Sequence, residues 1–342
     1  MMKDERILLN FFDRHLLRLI LSFIIILAVT CVIFYYLKSV VDFQQTFQLI
    51  SRVKSASLLT GIAISILLNI FLCAFIKQTI LAYMNYPMSY MNALFIRCGS
   101  LPYKLIPTVK NTEIFSVYYL KKYHHVPLIE GLLSNVIANI IHLITILIFF
   151  ALGCLLYGMR QGELIIYQKY FMIMAVMGVV VMFSLCLFIL KKETAKKILF
   201  LFCFARESRL FQLFKKNIDL WHGLSLKKLL FLLVLSMGYQ ISELLICFVF
   251  ARSYGLVIPL GALFLYMPLV VLLTQLPVSI SGFGVREGAY IIFLAHFAPK
   301  ETLLALGLLV FFVHQIVPVL LGLLFFVPFS HKLQFSDVVL KE

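Results

Sequence analysis

The sequence predicts an all-α polytopic membrane protein of about six full spans plus two re-entrant helical hairpins, and three observations point there. The first is composition: 63% of the residues are hydrophobic and 13% charged, with a mean hydropathy of +1.03. Soluble domains are roughly half apolar and about a quarter charged, so the chain's apolar surplus has to face lipid. The second is a recurrence of apolar runs of the length a helix needs to cross a bilayer, about 20 residues each. The third is a pair of apolar stretches too rich in breakers and charge to be plain spans.

Taken in order, the apolar runs are 19–37, 58–76, 127–155, 171–190, 229–250 and 303–327. A mixed-charge segment (Lys3, Asp4, Glu5, Arg6, Asp13, Arg14) precedes the first, and no small-residue cleavage site follows it. That segment reads as an uncleaved signal anchor. Sorting the 30 basic residues by the loops these runs define places 22 on the side of the N-terminus and eight on the other. Basic residues collect on cytoplasmic loops, so both termini are expected in the cytoplasm and the chain in a plasma (inner) membrane. The 191–228 loop alternates bases (Lys196, Lys197, Arg206, Lys215) with apolar residues (Leu199, Phe200, Phe211, Phe214). It reads as a basic amphipathic segment lying on an anionic leaflet, through simple orientation or through lipid-head recognition.

The two broken stretches carry the organisation. Between 88 and 107 lie Arg97, Gly99, Ser100, Pro102, Lys104 and Pro107; between 259 and 297 lie Pro268, Pro277, Ser279, Ser281, Gly282 and Gly284. The arm after Gly284, about 12 residues or about 18 Å of helix, is too short for a bilayer of about 30 Å. Non-helical backbone is tolerated at membrane depth only where protein or a water-filled cavity surrounds it, so each stretch is expected to be a re-entrant hairpin. The alternative is that Pro and Gly merely kink two ordinary spans. The order span, hairpin, span then occurs twice, over 58–155 and 229–327, entered from opposite sides. Such an inverted repeat places broken helices at a shared midplane site in many transporters.

The net charge of +15 does not imply nucleic acid, because the bases hug membrane edges and form no soluble basic face. Seven cysteines, odd in number and mostly in apolar runs, form no C-x-x-C pair, and eight scattered histidines show no metal-ligand spacing. No metal and no cofactor is expected, and no glycine-rich nucleotide loop is present.

The segment Leu276-Pro277-Val278-Ser279-Ile280-Ser281-Gly282-Phe283-Gly284-Val285-Arg286-Glu287-Gly288 resembles the L-P-x-S-x-G-G-x-G-x-R-E-like signature of the lysylphosphatidylglycerol synthase transmembrane, flippase-like family, departing by Ser281 where glycine is usual. The first half is similar in outline through Pro107, Glu113 and Tyr119-Leu120-Lys121-Lys122, with Lys110 and Asn111 where a turn glycine is usual. The acidic and Arg positions typical of the following span appear as Ala138, Asn139 and His142. The resemblance covers roughly residues 15–330. It implies a membrane protein related to flippases of aminoacylated or otherwise charged lipids, without the soluble domain that performs synthase chemistry.

The candidate lipid-binding residues are Ser279, Ser281, Gly282, Gly284, Arg286, Glu287, Glu243, Gln240, Lys110 and Glu113. Gly282 and Gly284 can adopt positive φ and admit a head group to the backbone. Arg286, at the start of a short helix, suits a phosphate. Glu287 pairs with a cationic head group or with Arg286, and the two together also suit a purely structural lock. Glu243 sits mid-span, where a carboxylate costs about 3 kcal/mol unless paired, protonated or wetted, and Gln240 lies one turn away. Asn135, Asn139 and His142 share a helix face and read chiefly as interhelical hydrogen bonding, as do His314 and Gln315 before Pro318.

Three functions are compatible with these residues. A lipid translocator uses the broken helices without bond chemistry. An intramembrane transferase or hydrolase needs Glu243 or a histidine as base, yet no nucleophile and base pair stands at readable spacing. A non-transporting scaffold predicts a closed apolar midplane. Membrane lipids with anionic or charged head groups are the expected partners, nucleic acid is not, and self-association is compatible with the sequence.

Overall fold

The runs of apolar residues form long helices because a chain in lipid must satisfy every backbone group within its own segment. The computed structural model describes residues 24, 26–105, 112–158, 225–275 and 279–332. Within them, α1 (Ile26–Val40) turns by 89° into α2 (Phe43–Ser51). Asp42 makes that corner: its carboxylate caps α2 by accepting from the backbone of Gln44 and Gln45. The following span is α3 (Ser55–Tyr83), then the hairpin arms α4 (Tyr90–Ser100, continuing as a tight 3-10 turn over Leu101–Leu105) and α5 (Thr112–His124). The next span is α6 (Leu128–Tyr157). The second half runs through the span α7 (Leu226–Ser253), the arms α8 (Leu260–Gln275) and α9 (Val285–Phe293), and the span α10 (Lys300–His331).

Among the described residues, four helices are long and apolar enough to cross a membrane, and the bent α1–α2 pair makes up to five. The fourth expected span, 171–190, and most of the 191–228 loop lie outside the described residues. The spans α3, α7 and α10 extend past their apolar runs at both ends, so Lys77, placed by hydropathy in a loop, sits inside α3.

Both hairpins begin at the same kind of corner. After α3, Asn85 takes φ 66° and the Tyr86 N–H reaches back to Leu81 O at 2.9 Å; after α7, Gly255 takes φ 73° and the Leu256 N–H reaches Ala251 O at 2.9 Å. These left-handed caps satisfy the last carbonyls and reverse the chain. The spans α3 and α7 run antiparallel: the Lys54 N–H meets Ser253 Oγ at one end, and the Lys228 ammonium lies 4.8 Å from the Tyr83 ring centre at the other.

The halves are interleaved. Arm α8 packs along span α6, and arm α4 packs along span α10. Glycines permit both approaches: a β-carbon on Gly153 would sit 2.3 Å from the Leu265 backbone, and one on Gly322 would sit 2.7 Å from the Cys98 carbonyl. Lipid offers no hydrophobic drive for helix association, so close van der Waals packing at small residues has to supply it.

Two π-helical turns break the ladder at mid-span, at Ser65–Phe71 in α3 and Phe312–Ile316 in α10. A π-turn frees a carbonyl from its usual partner. Asn69 Nδ2 donates to the freed His314 carbonyl at 2.9 Å, and Arg97 Nη2 donates to Asn69 Oδ1 at 3.1 Å. The chain Arg97, Asn69, His314 thus ties the first hairpin to both π-turns.

Candidate functional site

Polar side chains collected from both halves surround one cavity of about 610 Å³. Its first-half wall carries Lys77 from α3, Arg97, Ser100 and Lys104 from the α4 arm, and Glu113 from α5. Span α6 adds Asn135, Asn139 and His142. The second half adds Tyr239 and Glu243 from α7, Thr274 and Gln275 from α8, Ser279, Ser281 and Arg286 from the hairpin tip, and His314 and Gln315 from α10.

The helical period explains the wall. Cys73 and Lys77 follow Asn69 at four-residue intervals, and Arg97, Ser100 and Lys104 follow Ala93 at intervals of four, three and four, so each set forms a stripe on one face. Lys77 Nζ donates to Ser134 Oγ at 2.7 Å and to Asn135 Oδ1. Asn139 Nδ2 donates to Glu113 Oε2 at 3.4 Å, and Asn135 Nδ2 to the Glu113 carbonyl at 3.4 Å. His142 stacks edge-on to Tyr239, ring centres 4.9 Å apart.

At the second hairpin, Arg286 Nη1 lies 3.3 Å from Glu243 Oε1, with both side chains almost wholly buried. The pair removes two costly charges together. Several buried atoms at the cavity have no hydrogen-bond partner among the described residues: His142 Nδ1, Ser279 Oγ, His314 Nε2, and Nε of both Arg97 and Arg286. Buried polar groups are rarely left so, and a cluster of them around one space marks a place for polar ligand atoms.

The hairpin tip is held by unusual backbone. Ser281, Gly282 and Gly284 take φ of 52°, 79° and 84°, and Ser281 Oγ donates to the Lys104 carbonyl at 2.9 Å, joining the two hairpin tips. The two glycines differ from their expected use. A β-carbon on Gly282 would meet Thr274 at 2.8 Å, and one on Gly284 would meet Ile33 at 2.8 Å. They admit protein neighbours, not a head group.

Glu287 is likewise redirected. Its Oε2 accepts from the Gly284 N–H at 2.6 Å, the glutamate half of a capping box at the start of α9. That carboxylate occupies the helix start where a phosphate was expected to bind, and Arg286 pairs with Glu243 instead of Glu287. Gln240, 2% exposed, and Glu287 are not part of the cavity wall, whereas Ser279, Ser281, Glu243, Arg286 and Glu113 are. Lys110 lies outside the described residues.

The sequence matches the family described as the lysylphosphatidylglycerol synthase TM region over residues 19–322, nearly the whole chain. The chain belongs to this family. It is therefore a multi-pass membrane protein of a family whose membrane domain is tied to lipid handling. No individual curated protein matches it. The family's glycine-rich signature now has a physical reading: Ser281 stands where glycine is usual, and its backbone is left-handed, the conformation that glycine adopts without strain.

Sequence reasoning missed Lys77, Arg97 and Lys104 as site residues, counting them as loop or hairpin charges, and favoured packing for Asn139, His142, His314 and Gln315. All seven line the cavity. The four-residue rhythm of Asn69, Cys73 and Lys77 was the available signal, obscured because the apolar run ends at Ile76.

Proposed function

We propose that the chain moves a polar-headed lipid, a phospholipid or a lipid-linked precursor, between the leaflets of a plasma (inner) membrane with both termini in the cytoplasm, making and breaking no covalent bond. One observation carries this reading: a cavity lined by both hairpins and crowded with charged polar atoms, several without a partner among the described residues, in a chain whose helices are long and apolar enough to cross a membrane. Its volume of about 610 Å³ falls within the roughly 300–1,000 Å³ typical of ligand sites. A head group in this space would exchange water for the cavity's donors and acceptors while its acyl chains stay in the bilayer. Crossing then becomes a passage between polar environments in place of transfer through hydrocarbon.

The test is reconstitution of the full chain in vesicles holding a head-group-labelled lipid, followed by quenching from outside. Movement faster than in protein-free vesicles, with the lipid's mass unchanged, supports the reading. A rate equal to the protein-free control under both polarities of pH gradient would remove it, and a change in lipid mass would transfer it to the intramembrane enzyme class.

A further inference from the structure

We infer that the cavity is built for a lipid head group bearing two or more negative charges, a phosphomonoester or a diphosphate, and that Lys77, Arg97 and Lys104 hold it; this deepens the translocation reading and rests on it.

The charges decide it. Arg286, the residue that the signature hairpin presents, is matched by Glu243 at 3.3 Å and contributes little net charge. Among the other charged side chains on the wall, Glu113 is the sole carboxylate facing the three cations Lys77, Arg97 and Lys104. The groups that orient these cations are neutral. Lys77 is held by a serine and an asparagine, and Arg97 by the Asn69 side chain. Lys104 pairs with no carboxylate among the described residues, while its carbonyl is pinned by Ser281. Neutral partners fix a cation's position without cancelling its field, so among the described residues the cavity wall carries an excess of two positive charges.

Uncompensated charge away from water is costly, and the ligand that removes it carries two negative charges. A phosphodiester head group such as that of phosphatidylglycerol carries one. A zwitterionic head group carries none in sum, and a lysine-esterified phosphatidylglycerol would add a cation. Asn135, Asn139, His142 and Gln315 line the same cavity and offer donors and acceptors suited to hydroxyls or to the bridging oxygens beside the phosphate.

The experiment uses the full chain in phosphatidylcholine nanodiscs, each doped with one of four lipids: phosphatidic acid, a long-chain isoprenyl diphosphate, phosphatidylglycerol or lysylphosphatidylglycerol. Retained lipid is read by native mass spectrometry. Phosphatidic acid, the isoprenyl diphosphate or both should be retained over phosphatidylglycerol by at least about tenfold, the effect of one added charge pair in a partly shielded site. Whichever of the two is retained identifies the source of the multiply charged phosphate. Lysylphosphatidylglycerol should show no enrichment. Lys104→Gln and, separately, Lys77→Gln should collapse the preference to about twofold while the unfolding temperature holds; two variants guard against one failing to fold. Equal retention of phosphatidylglycerol, preferential retention of lysylphosphatidylglycerol, or an unaltered preference in both folded variants would overturn the inference. Selective retention without movement in vesicles would sink translocation alone; movement indifferent to head-group charge would sink this inference alone.

Discussion

Adjacent residues at 286 and 287 carry opposite charges but point to different partners, because consecutive side chains on a helix diverge by about 100°. Arg286 turns to Glu243 and the cavity; Glu287 turns back to the Gly284 N–H. Glu287→Ala should therefore lower stability by about 1–2 kcal/mol through an uncapped, buried N–H, seen as a reduced unfolding temperature in detergent. Lipid retention per folded molecule should stay at the wild-type level, and an unchanged unfolding temperature would count against the capping role. The sequence made the polar centre at 279–287 legible, since charge and glycine cannot sit together on a lipid-facing helix. It did not reveal which charge faces which partner, because that depends on where α9 begins, and φ of 84° at Gly284 sets that start. Lys77 was hidden for a related reason: hydropathy ends the span at Ile76, while backbone hydrogen bonding carries the helix on to Tyr83.

Helices here meet where side chains are smallest. Gly153 lets α6 lie against the backbone of α8 around Leu265, and Gly99 receives the Phe329 ring so closely that a β-carbon would stand 2.4 Å from it. Gly153→Val has no room without separating the helices and should cost about 1–3 kcal/mol or more. Gly288 is the control: it lies in helix α9 with nothing within 4 Å of an added β-carbon. Gly288→Ala should stabilise by about 0.5–1 kcal/mol through the entropy glycine loses on entering a helix. Unfolding temperatures of both variants in one detergent check the pair, and the opposite order would refute packing as the cause. The existence of the helices and of both broken arms was legible from apolar periodicity and from Pro and Gly placement. The pairing of α8 with α6 and of α4 with α10 was not, since a glycine inside an apolar run looks the same whichever helix it meets. The short α2 also escaped, although Asp42 before Gln44 and Gln45 is an N-cap pattern.

At the scale of the whole molecule, direction is the property that joins the halves. Because Lys54 meets Ser253 and Lys228 meets Tyr83, α3 and α7 cross in opposite senses, and their left-handed corners must lie at opposite ends of the helix bundle. The proposed orientation, with both termini in the cytoplasm, puts the Asn85 corner on the cytoplasmic side and the Gly255 corner on the outer side. Asn85 and Val257 are exposed at these corners, so each can carry a reporter without entering the cavity. In a background freed of the native cysteines, Asn85→Cys should resist a membrane-impermeant thiol reagent applied to intact cells and react after the membrane is opened. Val257→Cys should react in intact cells. Exchange of the two results would invert the orientation but keep the antiparallel pair, whereas reaction of both from the same side would contradict the crossing itself and with it the arrangement that brings the two hairpins to one cavity.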